Sequence, residues 1–359
     1  MPFHAGFVPV VLVCAAIGFK LYSLALVEPP VGPLIEEYLQ SCTYSKTNPF
    51  HDFICVIEPF FQELVSNDMG KSFLTAFGTS GAVMSTYLYT RGGEGGGSLL
   101  FHPLIVIAQS LAGQVLGAGI IGPILLPLLS ALSYSVSSKS SQARLITPPS
   151  STYTMTQLTT QFLVFLISMA LNAVPPTNPA WVYVNYAFQG FPLLFLPLAF
   201  FPRNNDNSTN AGSDVQKNNK RAAKTPTLTI TAFTIFKYLY APLWWISVFQ
   251  FLRASGFLST STSHPAPFTP PVYFMVLDFA GFVLAFLGLY AVDLVADAGE
   301  FVAGEGKAGE EVVRRQLTAP QTFVLKLVVL GPASTMAGYW AERQRGIVRR
   351  AEMVRKQKE

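Results

Sequence analysis

The chain has 359 residues, of which half are apolar, 13% are aromatic and only 12% are charged. A soluble globular protein carries about 25% charged residues, so this composition excludes an ordinary water-soluble enzyme. Three cysteines are too few for a disulfide scaffold, and only Cys42 and Cys55 are candidates for pairing. The net charge of +4 comes mainly from the C-terminal segment 342–359 and indicates no nucleic-acid partner. The composition predicts an all-α, polytopic transmembrane bundle.

Apolar segments of about 20 residues, the length needed to cross a bilayer, recur along the chain. The first, Phe7–Leu26, lacks the basic start and the cleavage pattern of a signal peptide, so we interpret it as a retained anchor. The stretch Leu99–Val136 is too long for one crossing and is rich in glycine and proline, which predicts two helices or one broken helix. The other predicted spans are Phe73–Tyr89, Leu158–Val174, Trp181–Phe201, Leu228–Phe251, Val272–Val292 and Phe323–Ala341. These segments number eight, or nine if Leu99–Val136 crosses twice, and we expect seven or eight spans in a single domain, residues 1–341.

Polar segments at 203–226 and 298–318 separate predicted spans, and a basic tail covers 342–359. Positive charge favours the cytoplasmic side, which predicts a cytoplasmic tail. The segment 203–226 carries five Lys and Arg residues and favours the same side, but three predicted spans lie between it and the tail. Because the tail is denser in charge, we expect the segment 203–226 to be lumenal, with a glycosylation site at Asn207.

Asp278 is the only charged residue in the predicted span Val272–Val292 and lies about a third of the way along it. Gly281 and Ala285 follow on the same helix face, so we expect a second helix to approach there and Asp278 to point into the bundle. A charge inside a membrane costs about 2.5–3.5 kcal/mol on insertion scales and indicates a function. The structural alternative is a buried ion pair with Lys237.

The segment Asn48–Val65 predicts an amphipathic helix that is too short and too polar to span, and that lies at the interface or lines a cavity. Apolar residues flank Glu58, and burial among them would keep its carboxyl group protonated. Such a group is the general acid needed to protonate an alkene or an epoxide. Asp52 and Glu63 lie on a second polar line of the helix and are reserve acids. The structural alternative for Glu58 is a solvated acid on a surface helix.

Aromatic residues crowd two predicted spans, and Tyr186, Trp244 and Trp245 lie away from the span ends where interfacial belts occur. Aromatic faces stabilise cations by about 0.5–2 kcal/mol each, so these three side chains predict a substrate pocket that stabilises a carbocation. The four histidines are scattered and the usual metal-binding motifs are missing, so we expect neither a metal nor a cofactor.

The residues Ile57-Glu58-Pro59-Phe60-Phe61 and Val276-Leu277-Asp278-Phe279 carry a resemblance to a known class of proteins. The chain resembles the integral-membrane proteins of fungal terpenoid gene clusters, including the membrane-bound terpene cyclases of meroterpenoid and indole-diterpene pathways. The resemblance covers the whole chain loosely, and the better-known cyclases of this kind are shorter. It implies a metal-independent, protonation-initiated cyclisation of a prenylated substrate at the endoplasmic reticulum, beside other pathway enzymes. Glu58 and Asp278 would be the catalytic acids.

Two other functions remain open. A non-enzymatic membrane carrier or accessory protein would use amide side chains as a polar path, although the sequence shows neither inverted repeats nor matched interrupted segments. A Mg²⁺-dependent membrane prenyltransferase would need acidic motifs, of which Asn48-x-x-x-Asp52 and Asp293-x-x-x-Asp297 are incomplete versions.

Overall fold

The computed structural model describes residues 5–42, 49–94, 98–137, 149–201, 225–258, 268–303 and 320–358, and within these ranges all regular structure is helical. The expected all-α fold is thereby confirmed. A π-helical turn, Ser23–Val27, continues the first helix, and 3₁₀ helices cover Leu99–Phe101 and Phe191–Phe200. The α-helices are α1 (Phe7–Tyr22), α2 (Val31–Ser41), α3 (Pro49–Ser66), α4 (Asp68–Gly93), α5 (Pro103–Leu116), α6 (Ala118–Ser137), α7 (Ser151–Ala173), α8 (Ala180–Gln189), α9 (Thr225–Ala254), α10 (Pro270–Ala303), α11 (Pro320–Val329) and α12 (Pro332–Lys358).

One end of the bundle, which we name the charged end, is defined by Arg91, Glu94, Asp293 and Arg343. Arg343 of α12 places Nη1 3.5 Å from Glu94 Oε1, just beyond α4, and Nε 3.8 Å from Asp293 Oδ2 of α10. Arg91 Nε lies 3.8 Å from the other Glu94 oxygen. Three helices are thus joined at this end by charged side chains.

The opposite end, the disulfide end, is defined by the bond between Cys42 and Cys55, whose Cα atoms lie 5.5 Å apart. The expected pairing is therefore confirmed. The bond joins the end of α2 to α3, and an apolar cluster from α3, α4, α7, α8 and α10 packs beneath it. Trp181 and Leu171 of this cluster are fully buried, and the indole Nε1 of Trp181 donates to Leu171 O.

Within the described ranges, six elements connect the two ends: α1, α4, α7, α8 with the following 3₁₀ helix, α9 and α10. α1 begins at the charged end, where Phe7 stacks on Tyr134 of α6. α4 finishes there, and Arg91 Nη2 donates to Ser133 Oγ at 3.1 Å. The start of α10 and the ends of α7 and α9 pack at the disulfide end.

Two helical hairpins enter from the charged end and return to it. α5 and α6 are separated by Gly117, and α11 and α12 by Gly331, and both glycines have positive φ values, 91° and 81°. Side chains with a Cβ rarely adopt this conformation, so glycine permits both turns. The predicted break within Leu99–Val136 is confirmed, whereas the single span expected at Phe323–Ala341 is wrong because the chain reverses at Gly331.

Three helices in the described part of the chain are long and apolar enough to cross a membrane: Phe7–Val27, Ser151–Ala173 and Pro270–Ala296. The pair Ala180–Gln189 and Phe191–Phe200, bent by 43°, makes a fourth if it counts as one span. The expected seven or eight spans are therefore not confirmed. The two hairpins account for part of the difference, because their shorter helices do not run from end to end.

Close packing of α6 against α10 explains the small residues that follow Asp278. A Cβ at Gly281 would collide with the carbonyl oxygen of Gly119, and Ala285 lies against Gly122. The expectation that a second helix approaches at Gly281 and Ala285 is confirmed. Their small size brings the α6 backbone within reach of the Asp278 side chain.

The predicted domain boundary at residue 342 falls inside α12. Gln344 is 3% exposed, and its Nε2 donates to Glu94 Oε1 at 2.8 Å. Arg343 is equally part of the charged end. The expectation of a separate tail beginning at 342 is thus wrong, since these residues hold α12 in the bundle.

Candidate functional site

Glu58 and Tyr186, which we predicted as a catalytic acid and a pocket residue, are brought together by the fold. The Tyr186 hydroxyl of α8 donates to Glu58 Oε2 of α3 at 3.2 Å. Glu58 is half-buried and lies one helical turn after Cys55, at the disulfide end. The hydrogen bond fixes the orientation of the Glu58 carboxyl group relative to α8.

Aromatic rings of α3, α8 and α10 pack against one another at the disulfide end. The ring of Phe60 meets the Phe274 ring edge-on at 5.3 Å between centroids, and the Phe61 ring lies 5.7 Å from Phe188. Phe60 and Phe61 are buried in the apolar cluster of the disulfide end. These rings form an aromatic wall, and two of them, Phe60 and Phe61, follow Glu58 within one turn of α3.

The two reserve acids have different surroundings. Asp52 is exposed on the first turn of α3. Glu63 Oε2 accepts a hydrogen bond of 3.0 Å from the Tyr38 hydroxyl of α2. Burial and the neighbouring Glu63 carboxylate raise the pKa of Tyr38. Glu63 thus ties α2 to α3, beside the disulfide bond.

Asp278 has a partner that the sequence did not predict. Its Oδ1 accepts a hydrogen bond of 2.7 Å from the backbone N–H of Gly119, and the Ile120 N–H also bonds to the carboxylate. Asp278 is 3% exposed. It points into the bundle as expected, and there it caps the N-terminus of α6, where unpaired N–H groups and the helix dipole favour a negative group.

The ion pair between Lys237 and Asp278 that we considered as an alternative is wrong. Lys237 Nζ lies 5.2 Å from the centroid of the Tyr238 ring, and its methylene groups contact Gly338 of α12. Among the described side chains, no ion pair joins Lys237 to Asp278. Burial of Asp278 is instead supported by backbone hydrogen bonds.

Trp244 and Trp245 occupy different positions. Trp244 stacks on Phe279, the residue after Asp278, with ring centroids 5.9 Å apart, and contacts Gly331 at the tip of the second hairpin. Trp245 is 53% exposed, and its Nε1 donates to Val329 O at 2.8 Å. The expectation that Trp245 lines an internal pocket is therefore wrong, because the side chain lies on the outer surface.

Glu58 and Asp278 do not share partners. Glu58 is bonded to Tyr186 and Asp278 to the α6 backbone, and the link between their helices is the contact of Phe60 with Phe274, one turn before Asp278. The predicted acids thus form two neighbouring sites, of which only the Glu58 site combines an acid with a predicted pocket residue.

The charged end contains a second polar cluster that sequence reasoning missed. Asp293, which we expected at an interface, is 2% exposed and accepts hydrogen bonds from the hydroxyls of Tyr134 (2.6 Å) and Tyr339 (3.2 Å). Arg91 lies over the ring of Phe101 at 4.5 Å and donates to the Tyr87 hydroxyl. The i, i+3 spacing of Arg91 and Glu94 was the available signal.

The remaining predicted site residue, Asn207, lies outside the described residues, as do Asn48 and the side chain of Asp297. Among the side chains that the structure describes, no three His, Cys, Asp or Glu residues are grouped as metal ligands. Comparison of the chain with protein-family models, with curated proteins and with solved structures finds no match. The functional interpretation therefore rests on the geometry of this chain.

Proposed function

We propose that the chain is a multi-pass protein of the endoplasmic reticulum membrane that cyclises a lipophilic, prenylated substrate by protonation, without metal or cofactor. The observation that carries this proposal is the contact of Tyr186 with Glu58 beside the aromatic wall of the disulfide end. It combines a positioned proton donor with an apolar, aromatic surface. These are the two requirements of a carbocation cyclisation.

Exposed apolar side chains support the membrane location. Water-soluble proteins rarely expose contiguous apolar patches larger than a few hundred Å². Here large apolar side chains are exposed along several helices that connect the two ends. They include Leu12, Val13 and Phe19 on α1, Phe162, Leu166 and Met169 on α7, and Ile235, Ile246 and Phe249 on α9. Lipid chains are the natural environment of such surfaces.

The chemistry begins with transfer of a proton from the Glu58 carboxyl group to the substrate. On an epoxide the proton goes to oxygen and a C–O bond breaks. On an alkene it goes to carbon and consumes the π bond. The resulting cation is attacked by an alkene of the same molecule, which forms a new C–C bond. Loss of a proton from the final cation to the Glu58 carboxylate gives the cyclic product and restores the acid.

Two features of the site suit these steps. The Tyr186 hydroxyl donates to Oε2 of Glu58, which fixes the orientation of the carboxyl group. Phe60, Phe61 and Phe188 belong to the aromatic wall, and an aromatic face that meets a cation stabilises it by about 0.5–2 kcal/mol. Asp278, in the neighbouring site, is the second acid of the proposal, and neighbouring pathway enzymes would supply the substrate.

Expression in a yeast strain that produces candidate prenylated substrates tests the proposal directly. Microsomes that contain the chain are expected to convert one substrate into a cyclic isomer of the same mass, which product analysis detects. Tyr186→Phe removes the hydrogen bond and is expected to slow the conversion while the protein stays in the membrane. Failure of every prenylated substrate to change would contradict the proposal.

A membrane carrier is the second candidate, and one observation favours it. The tips of the two hairpins, Gly117 and Gly331, approach consecutive residues of α10, Asp278 directly and Phe279 through Trp244. Broken helices that meet inside a bundle are typical of transporter binding sites. Reconstituted vesicles distinguish the two functions, because a carrier moves its substrate unchanged whereas a cyclase isomerises it.

The prenyltransferase alternative has less support. Asp293, one of its candidate ligands, is engaged by Tyr134, Tyr339 and Arg343 at the charged end. The side chains of Asn48 and Asp297, which the two motifs also require, are not among those that the structure describes. We therefore retain the cyclase as the proposed function.

A further inference from the structure

The two ends of the bundle differ strongly in positive charge. The segments 138–148, 202–224, 304–319 and 344–359 join or continue helices at the charged end. Together they carry sixteen of the 24 Lys and Arg residues of the chain. The segments 28–68, 174–179 and 252–269, which lie at or join helices of the disulfide end, carry only Lys46 and Arg253. Positive residues near membrane spans favour the cytoplasmic side.

The disulfide bond gives an independent indication of compartment. Cys42 and Cys55 are bonded at the end that is poor in Lys and Arg. Disulfide bonds persist in the lumen of the endoplasmic reticulum and outside the cell, and are rare in the cytosol. The distribution of positive charge and the position of the disulfide bond thus indicate the same assignment of the two ends to opposite compartments.

The hairpin formed by α11 and α12 resolves the conflict between the two basic segments, 203–226 and the C-terminal residues, which both favour the cytoplasmic side. Three crossings were expected between the basic segment 203–226 and the C-terminal residues, which would place them on opposite sides. Among the described residues of this interval, only α9 and α10 connect the two ends, because the chain reverses at Gly331. Two helices that each run from one end to the other return the chain to the same end. Both basic segments therefore join helices at the charged end.

We infer that the charged end faces the cytosol, at the anionic leaflet, and that the disulfide end faces an oxidising lumen. Lys and Arg residues close to anionic lipid stabilise this orientation. The inference rests on the proposed membrane insertion but not on the proposed chemistry. It places Glu58 and Tyr186 towards the lumenal leaflet, from which a lipophilic substrate reaches them. It also reverses our expectation for Asn207, which becomes cytosolic and stays unglycosylated.

Glycosylation mapping tests the orientation, because oligosaccharide transfer occurs only in the lumen. Asn207 belongs to the one Asn-x-Ser/Thr sequon of the chain and serves as the internal probe of the charged end. Ser45→Asn creates an Asn-Lys-Thr sequon between α2 and α3, at the disulfide end. The Ser45→Asn chain is expected to gain one glycan that endoglycosidase H removes. The wild-type chain is expected to show no shift, and Thr47→Ala in the Ser45→Asn background abolishes the new sequon.

The fractionation that accompanies this mapping separates two kinds of failure. A glycan on Asn207, or an unmodified Ser45→Asn chain that remains in carbonate-washed membranes, would overturn the orientation. Release of the chain by carbonate would instead contradict the membrane insertion on which the inference rests. Modification at the Ser45→Asn sequon alone supports it.

Discussion

The carboxylate of Asp278 caps a helix that starts inside the bundle, through a hydrogen bond of 2.7 Å from the Gly119 N–H to Oδ1. Asp278→Leu removes the acceptor and leaves the buried Gly119 N–H unpaired, which costs about 1–3 kcal/mol. We expect this variant to unfold at a lower temperature in detergent. Asp278→Asn keeps an oxygen in place and is expected to remain close to the wild type. Equal stability of Asp278→Leu and the wild type would contradict the capping role.

The contact between α6 and α10 predicts a sharp difference between two glycines. A Cβ at Gly119 would collide with the Asp278 carbonyl group, so Gly119→Ala must push the two helices apart. Gly81 of α4 has no atom within 4 Å of the position of a Cβ. Since alanine is favoured over glycine in a helix by about 0.5–1 kcal/mol, Gly81→Ala is expected to be neutral or stabilising. Thermal unfolding of both variants tests this, and equal behaviour would refute the close contact.

Arg343 and Arg345 allow a matched test of the charged end. Arg343 lies between Glu94 and Asp293, whereas Arg345 is exposed and contacts Thr234. Removal of one partner from a buried ion pair costs about 3–5 kcal/mol, so Arg343→Met is expected to be strongly destabilising. Arg345→Met is expected to cost less than 1 kcal/mol, about the value of an exposed contact. Denaturant midpoints of the purified variants measure the difference, and a tolerated Arg343→Met would argue that the C-terminal half of α12 is not anchored.

The disulfide bond predicts the number of reactive thiols. In unfolded but unreduced protein only Cys14 is free, so a maleimide reagent adds to one residue. After reduction all three cysteines react. Intact mass measured before and after reduction checks this count. Three additions without reduction would show that Cys42 and Cys55 are not bonded, and the redox argument for the orientation would then fail.

The sequence predicts the local features of the fold well. The turn at Gly117 follows from an apolar stretch too long for one crossing, and α3 follows from a proline start and an amphipathic pattern. Each of these predictions depends on a short segment whose residue types restrict the backbone or the environment.

The features that the sequence did not predict depend on contacts between distant segments. Gly331 interrupts one apolar run, and hydropathy does not distinguish a turn within the bundle from a continuous span. Arg343 is assigned to a solvated tail by its basic neighbours, because its partners Glu94 and Asp293 lie far away in the sequence. The partner of Asp278 is a backbone N–H group, and no side-chain pattern in the sequence identifies it.

Glu58→Gln tests the proposed chemistry most directly. Glutamine keeps the size of the side chain and an oxygen that accepts from Tyr186, but it has no acidic proton to donate. Loss of general acid catalysis is worth about 10²–10⁴-fold in rate. We expect Glu58→Gln microsomes to lose the cyclic product by this factor at an unchanged protein level. The matched control, Asp68→Asn, alters an exposed acid at the start of α4 and is expected to keep full activity. Undiminished product formation by Glu58→Gln would contradict the account.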